Sequence, residues 1–425
     1  MNFQSSTSQI SNAEWLKRLS IVECRDSTYR PRTDPIVFKK ALGSKIWDSE
    51  GKQYYDLCAG FGALPLGHNS EALRYVCEGH LQNERPPIDH AMGDVYPSEE
   101  KIIFLETLRS ALPSHLTKGC VALSGGQSVE IAVKTAVLFT KNTGFIVFDD
   151  GYHGLDLGIL PLTARQDFRM PFKDWLPETS VIRLPLNCDQ SIVSQAIDVL
   201  NSKSCGFAGI LVEPVQGRAG IKTANIEWLK SLAGLTKQHQ AVLIFDEVFT
   251  GFGRIGSITT ASQIDVDLVC FGKAIGGGFP ISACFGRESV MNAWPESTGE
   301  ALHTGTFFGH PFAAHVGRLT VEAILKQGLA QRSLVLGEEV RQVLRNKLSS
   351  SEYVVDVRGV GLMIGIEFNK PGFAAQLMDL ARPLGVIVLP SGSTGSVLSL
   401  TPALNISEAE LYEALNILCS LVIAF

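Results

Sequence analysis

The sequence predicts an α/β fold: a large, mostly parallel sheet with helices on both faces, followed by a smaller α+β unit. Three observations predict it. Apolar runs of about five residues recur through the middle of the chain, in GFIVF, GILV, AVLIF and DLVCF, the pattern of strands covered on both faces. Stretches with helical spacing separate most of these runs, and that rhythm marks parallel crossover units. The runs also end in charged or polar residues, and in open parallel sheets ligand groups gather at the carboxyl ends of strands.

The bulk numbers are compatible with this. A chain of 425 residues can bury one large core and a second, smaller one. Hydrophobic residues make up 45% and charged residues 19%, which leaves little room for disorder. The net charge is −6 and no Lys/Arg block stands out, so neither nucleic acid nor an anionic membrane is expected as a partner. Nine scattered cysteines without CxxC spacing read as reduced thiols, with no disulfide framework and no metal site. The opening MNFQSSTSQI has no apolar signal core. The segment ILCSLVIAF is far short of the roughly 18 residues that a membrane span needs. A soluble, cytoplasmic protein is the expectation.

Taken in order, residues 1 to about 12 are polar and read as frayed. Glu14 to Glu23 carries Trp15, Leu16, Leu19 and Val22 at the spacing of a short helix. IVFKKALGSKIWDSEGKQYYDLCAG alternates and turns at Asp48 to Gly51, a hairpin signal. FGALPLGHNS is a Gly-rich loop before a helix near Glu71 to Asn83; His68 within it is read as bonding local backbone, with a functional role the alternative. SEEKIIFLETLRSAL is a capped helix, its apolar face expected at Ile102, Leu105 and Leu108. CVALSGGQSVEIAVKTAVLFTK reads as a strand, a Ser-Gly-Gly turn and a helix with Val129, Ala132, Val133, Ala136 and Val137 on one side. The strands GFIVFDD, GFAGILVEP, AVLIFD, DLVCFG and ISACFG follow. A loop and a long helix, HTGTFFGHPFAAHVGRLTVEAILKQG, lead out of the large domain around residues 320 to 330. VVDVRGVGLMIGIEF, GVIVLP and VLSLTP are three further strands, and Ser407 with Glu410 caps the last helix.

The chemistry converges on strand ends. Tyr152 and His153 follow Asp149 and Asp150, and Glu213, Asp246 and Lys273 end later strands. A carboxylate and an amine are costly to bury unless they are used. A lysine so placed can form a Schiff base, and an aspartate can hold a ring nitrogen cationic. Ser124, Gly125 and Gly126 open a helix, where glycines let backbone N–H groups approach an anion and the helix dipole favours it. Alone, that turn is equally a tight turn and nothing more.

With these residues in view, the chain resembles the class III (ornithine/ω-amino acid type) aminotransferases, pyridoxal-phosphate enzymes of fold type I. The motif FDEVFTGFGRIG, with Lys273 of FGKAIGGGFP 27 residues after Asp246, carries the likeness, which runs from about Trp47 to the C-terminus. The resemblance implies a seven-stranded type of sheet in a large cofactor domain, residues 71–325. A small α+β domain would come from both chain ends, 1–70 and 326–425. It implies that Lys273 holds the cofactor as a Schiff base and shuttles a proton, and that Asp246 pairs with the pyridine nitrogen. Tyr152 would stack on the ring, His153 would support Asp246, and Gly125 and Gly126 would meet the phosphate beside Ser124. Val248 and Glu213 would lie near the cofactor, although a structural role for Glu213 is an equal reading. Thr306 resembles the threonine that reaches the neighbouring subunit's phosphate, which implies a homodimer. Arg358 in VRGVG resembles an arginine that binds a substrate carboxylate.

Departures from the family pattern reshape the substrate pocket. Leu155 stands where ornithine and γ-aminobutyrate enzymes have an arginine, and Arg218 where they carry a switch glutamate. Phe249 replaces a glutamine and Gln127 a glutamate. γ-Aminobutyrate and ornithine are therefore poor candidates, and Arg218 joins Arg358 as a candidate carboxylate binder. The expected reaction moves an amino group between an amine or amino acid and a keto acid or aldehyde. The same scaffold also serves aminomutases, racemases and decarboxylases. A binding protein without catalysis would be expected to have lost Lys273 or Asp246. A nicotinamide dehydrogenase would need the G-x-G-x-x-G spacing that GKAIGGGFP lacks.

Overall fold

The structure is a computed structural model that describes residues 10–28, 35–81, 92–93, 95–176 and 180–425. Residues 1–9, expected to be frayed, and the end of the helix expected as far as Asn83 lie outside the described residues.

Seven strands form the central sheet: β1 (Lys118–Ala122), β2 (Gly144–Phe148), β3 (Val181–Leu184), β4 (Phe207–Val212), β5 (Val242–Asp246), β6 (Leu268–Phe271) and β7 (Ser282–Gly286). Across the sheet they are ordered β1-β7-β6-β5-β4-β2-β3. The pairs β5–β6, β5–β4, β2–β4 and β2–β3 are parallel, whereas β7 runs against both β6 and β1. β3 is VIRL, only four residues long and broken by Arg183, which is why no strand is evident there in the sequence. Successive residues of β5 feed opposite apolar layers, Leu243 and Phe245 on one side and Val242 and Ile244 on the other. Such two-sided burial follows from the two-residue period of a strand and explains the unbroken apolar run.

Helices cover both faces. Gly125–Thr140 buries Val129, Ala132 and Ala136, with Val133 and Val137 partly covered. The helix Glu99–Ala111, capped by Ser98, packs Leu105 and Leu108 on the core as expected, but Ile102 of the expected face points outward. The helix buries Glu100, Phe104 and Leu108, while Ile102 is 48% exposed. The i, i+4 row starting at Glu100 faces the long helix Pro311–Lys326, and there the Glu100 carboxylate meets His315 and Arg318 at 3.2 and 3.5 Å. An ion pair thus makes a charged residue an inward position that hydrophobic spacing does not reveal.

Both ends of the chain meet in one small sheet. The hairpin of Lys45–Asp48 and Gln53–Asp56 pairs with Phe38–Leu42 on one side and, in parallel, with Val386–Ile387 on the other. The His68 ring, expected on local backbone, instead bonds the Asp56 carboxylate at 2.8 Å, while the backbone of His68 bridges Gly43. VVDVRGVGLMIGIEF, expected as one strand, is two: Val354–Val360 and Met363–Phe368, antiparallel around Gly361. Gly361 has φ +58° and backbone and side-chain atoms packed within 3 Å of any added Cβ, so the chain reverses where only glycine fits.

Behind β5 lies a buried carboxylate with a consequence for stability. Glu247 accepts bonds from the Thr259 hydroxyl at 2.6 Å and the Thr260 N–H at 2.8 Å, yet burial pushes its pKa up to about 7. A carboxyl raised in the folded state binds its proton more tightly there than in the unfolded chain. Its contribution is therefore full below about pH 4.5 and is lost as pH rises through about 7. Melting curves of wild type and Glu247→Gln between pH 5 and 8 should show the wild type losing up to about 3 kcal/mol relative to the variant. A gap that stays constant with pH would remove Glu247 as the titrating group.

Candidate functional site

A cavity of about 500 Å³ opens at the carboxyl ends of the parallel strands. Ser124, Gly125 and Gly126 line it just beyond β1, Tyr152 and His153 beyond β2, Glu213 beyond β4, Asp246 at the end of β5, and Lys273 beyond β6. Five separate strand ends thus deliver the residues that the sequence singled out, and Val248 also lines the wall.

Asp246 is 5% exposed, and one of its oxygens lies 2.8 Å from His153 Nδ1, itself 3% exposed. The other accepts the Val248 N–H at 3.1 Å. Thr163 fixes the histidine from behind. Its hydroxyl accepts the His153 N–H at 3.0 Å and donates to the Gly154 carbonyl at 2.8 Å. No sequence signal marked Thr163, since its partner lies ten residues back across an irregular loop. Glu213 accepts the Tyr152 N–H at 2.9 Å and the Gly217 N–H at 3.4 Å, so its carboxylate ties together two loops of the cavity wall. Burial pushes Glu213 well above the ordinary carboxylate range; Asp246 adds to that push and His153 opposes it.

Lys273 follows β6 with φ +40°, a left-handed conformation that is uncommon outside glycine. Such strain in a cavity wall is kept where surrounding structure over-determines it. Desolvation holds its amine below the ordinary lysine value against the pull of Asp246 and Glu213, and Arg218 depresses it further. Its Nζ lies 4.4 Å from the centre of the Phe249 ring. A neutral amine is the nucleophilic form, so this environment favours attack on a carbonyl carbon.

Next to Lys273, where a Cβ on Gly272 would lie 3.4 Å from Gly125, Ser124 caps the sixteen-residue helix Gly125–Thr140 in a capping box with Gln127. The Ser124 hydroxyl is used by the Gln127 N–H, which leaves the N–H groups of Gly125 and Gly126 as donors at the dipole's positive end. A Cβ on Gly125 would lie 2.5 Å from Val248, and one on Gly126 2.5 Å from Asp156. The glycines keep a cradle open that any side chain would fill. Asp156, Gly60 and Phe61 also line the rim, and no spacing or motif marked them in advance.

Pyridoxal phosphate fits these residues. A phosphate suits the glycine-lined helix start, the buried Asp246–His153 pair offers a carboxylate to a ring nitrogen, and Lys273 supplies an amine to an aldehyde. Two expected residues stand elsewhere. Thr306 is exposed and does not line the cavity of its own chain. Arg358 does not line it either. Its Nε donates to the carbonyls of Gly220 at 2.9 Å and Ile221 at 3.2 Å, and its Nη1 meets Glu367 and, at 3.2 Å, Asp356. Those neighbours occupy Nε and Nη1 and hold the guanidinium outside the cavity. Among the described residues there is no group of three or more potential metal ligands, and no helix is long and apolar enough to cross a membrane.

Comparison with known proteins gives the same picture. The model of the family described as aminotransferase class-III matches residues 28–422. An acetylornithine aminotransferase from Methanopyrus kandleri is 33% identical over 90% of this chain and 92% of its own length. A diaminobutyrate–2-oxoglutarate aminotransferase from Rhizobium meliloti is 29% identical over 97% of this chain and 93% of its own. Among solved structures, a transaminase from the marine bacterium Virgibacillus superposes with a TM-score of 0.86 at 21% identity, covering 97% of this chain and 98% of that one. The Toxoplasma gondii ornithine aminotransferase gives 0.84 at 23%, covering 97% and 95%. At such identities these two speak for the fold alone. On the span of the family match and the identity of its relatives, the chain belongs to the class III aminotransferases.

Proposed function

We propose that this cavity transfers an amino group from an amine or amino acid to a keto acid or aldehyde in two half-reactions, with Lys273 and Asp246 as its catalytic residues. The observation that carries the reading is a single cavity lined by a depressed lysine amine, a buried Asp246–His153 pair and a glycine-lined helix start. Pyridoxal phosphate, when bound, supplies an aldehyde that condenses with amines and a ring that takes up the electron pair left at a deprotonated carbon. The protein supplies the rest. Gly125 and Gly126 hold the phosphate, Asp246 keeps the ring nitrogen protonated, and Tyr152 covers one face. Lys273 Nζ would carry a proton to and from the substrate's Cα. Glu213 acts by holding Tyr152 and Gly217 in place.

The relatives named above are aminotransferases, so an aminomutase, racemase or decarboxylase is not favoured. Purified protein should bind pyridoxal phosphate, turn yellow, and lose that absorbance on addition of an amino donor from a panel. Product should form in step with consumption of an acceptor. A protein that takes up no cofactor, or one that turns over without an acceptor, sinks the reading.

We further propose a homodimer in which Thr306 reaches the phosphate of the neighbouring subunit. Its exposure outside its own cavity supports that role. Thr306→Ala should then weaken cofactor retention by roughly 10- to 100-fold, the loss of one hydrogen bond to a charged group. Full activity from a monomer in sedimentation experiments would remove this contact. The nine free cysteines, three of them neighbours across β6, β7 and β1, suit a reducing compartment such as the cytoplasm.

A further inference from the structure

Arg218 stands on the short loop between the strands Val215–Gln216 and Lys222–Thr223, and its side chain lines the cavity. The guanidinium carbon lies 5.2 Å from the centre of the Tyr152 ring. Asp246 has His153 as its partner, and Lys273 feels Asp246 and Glu213. No carboxylate among the described residues comes within ion-pair distance of Arg218. A half-buried guanidinium resting on an aromatic face keeps its hydrogen-bonding fork free for an anion.

The loop beneath it is fixed from several sides. Arg358 grips the carbonyls of Gly220 and Ile221, two and three residues beyond Arg218. The Gly392 N–H donates to the Arg218 carbonyl at 3.0 Å, and Glu213 takes the Gly217 N–H. Gly220 has φ +93°, and a Cβ there would lie 2.8 Å from Val397 and 3.3 Å from Arg358. Such a loop has little freedom to swing its arginine away from the cavity.

We propose that Arg218 binds the carboxylate of the substrate, and that Arg358 is a positioning residue that acts through the Gly217–Ile221 loop. The substrate is then an amine that carries a carboxylate over Tyr152, with its carbon chain against the apolar side chains of Phe61, Leu155 and Phe249. This rests on the aminotransferase reading and adds the class of substrate to it. A carboxylate at either the α or the distal carbon presents the same chemistry to the fork.

The test uses holoenzyme of wild type, Arg218→Gln, Arg218→Lys and Arg358→Gln. Calorimetry with pentanoate, an unreactive carboxylate, should show binding to wild type that weakens about 10- to 100-fold in Arg218→Gln, the scale of a lost charge-assisted bond. Cofactor conversion is then followed with alanine, 5-aminopentanoate and n-pentylamine. The better of the two acids should show a KM raised by a similar factor in Arg218→Gln with its limiting rate within about threefold, and partial recovery in Arg218→Lys. Which acid responds tells whether the α or the distal carboxylate is read. Pentylamine, already poor with wild type, should change far less than the acids. Arg358→Gln should raise the same KM by a smaller factor. Equal pentanoate binding in wild type and Arg218→Gln overturns the proposal, as does wild type converting pentylamine as readily as both acids. Conversion of none of the three amines would instead overturn the aminotransferase reading, while pentanoate binding still decides for or against Arg218.

Discussion

Lys273→Ala should abolish turnover, with a loss of at least about 10⁴-fold, because one side chain supplies both the attachment and the proton transfer. The fold should survive. The residue is only half-buried, makes no side-chain hydrogen bond among the described residues, and alanine can occupy the same backbone conformation at modest cost. Cofactor should still bind through the glycine-lined helix start and Asp246, which do not depend on the lysine. Borohydride reduction should then fix cofactor covalently to wild type at Lys273 and leave none on the variant, as mass spectrometry of peptides would show. Turnover within tenfold of wild type would strip Lys273 of its role.

Asp246→Asn should be nearly as severe by a different route. The amide keeps the shape, and its oxygen can still accept the Val248 N–H. What goes is the negative charge 2.8 Å from His153 in a pocket that water barely reaches. Exchanging the carboxylate for a neutral amide weakens a buried hydrogen bond, at a cost of about 1–3 kcal/mol. If the same charge keeps the cofactor's ring nitrogen protonated, the rate should fall on the order of 10³-fold, the equivalent of about 4 kcal/mol. Stopped-flow measurement of the donor half-reaction would isolate this loss from substrate affinity, and circular dichroism would show whether the fold persists. A rate loss confined to KM would mean that Asp246 orients the ring without tuning its electronics.

The two wild-type residues behind these expectations were legible because their signals are local. AVLIFD and FGK each put a charge directly after an unbroken apolar run, and a strand buried on both faces leaves few other readings. The supports of those residues were not legible. His153 meets Asp246 across 93 residues, and Thr163 holds His153 with a single hydroxyl, so no spacing connects them. Arg358 shows the reverse failure. Its motif pointed to a substrate, but a guanidinium goes to the nearest acceptors, and folding places Glu367 across the hairpin and two carbonyls of a distant loop beside it. The helix at Glu99–Ala111 misled in part for the same reason: spacing counts apolar residues, while Glu100 is buried by its partners on another helix. Local pattern reads elements well, and it reads poorly wherever a polar side chain is satisfied from far away.

The parallel pairing of Tyr55 with Val386 has a bearing on how the molecule is made. During synthesis the N-terminal hairpin leaves the ribosome long before its partner strand has been translated. At about 5–20 residues per second, the 331 residues between those two positions (386 − 55) correspond to a wait of roughly 15–65 s. The seven-stranded sheet, complete by residue 286, has all its strands available in the meantime. The hairpin's Tyr54, Tyr55 and Leu57, buried in the finished protein, spend that interval without their final cover. Closing a contact of such long sequence separation is the slow part of folding, so the newborn chain is most open to aggregation or chaperone capture at this hairpin until Val386–Ile387 is made.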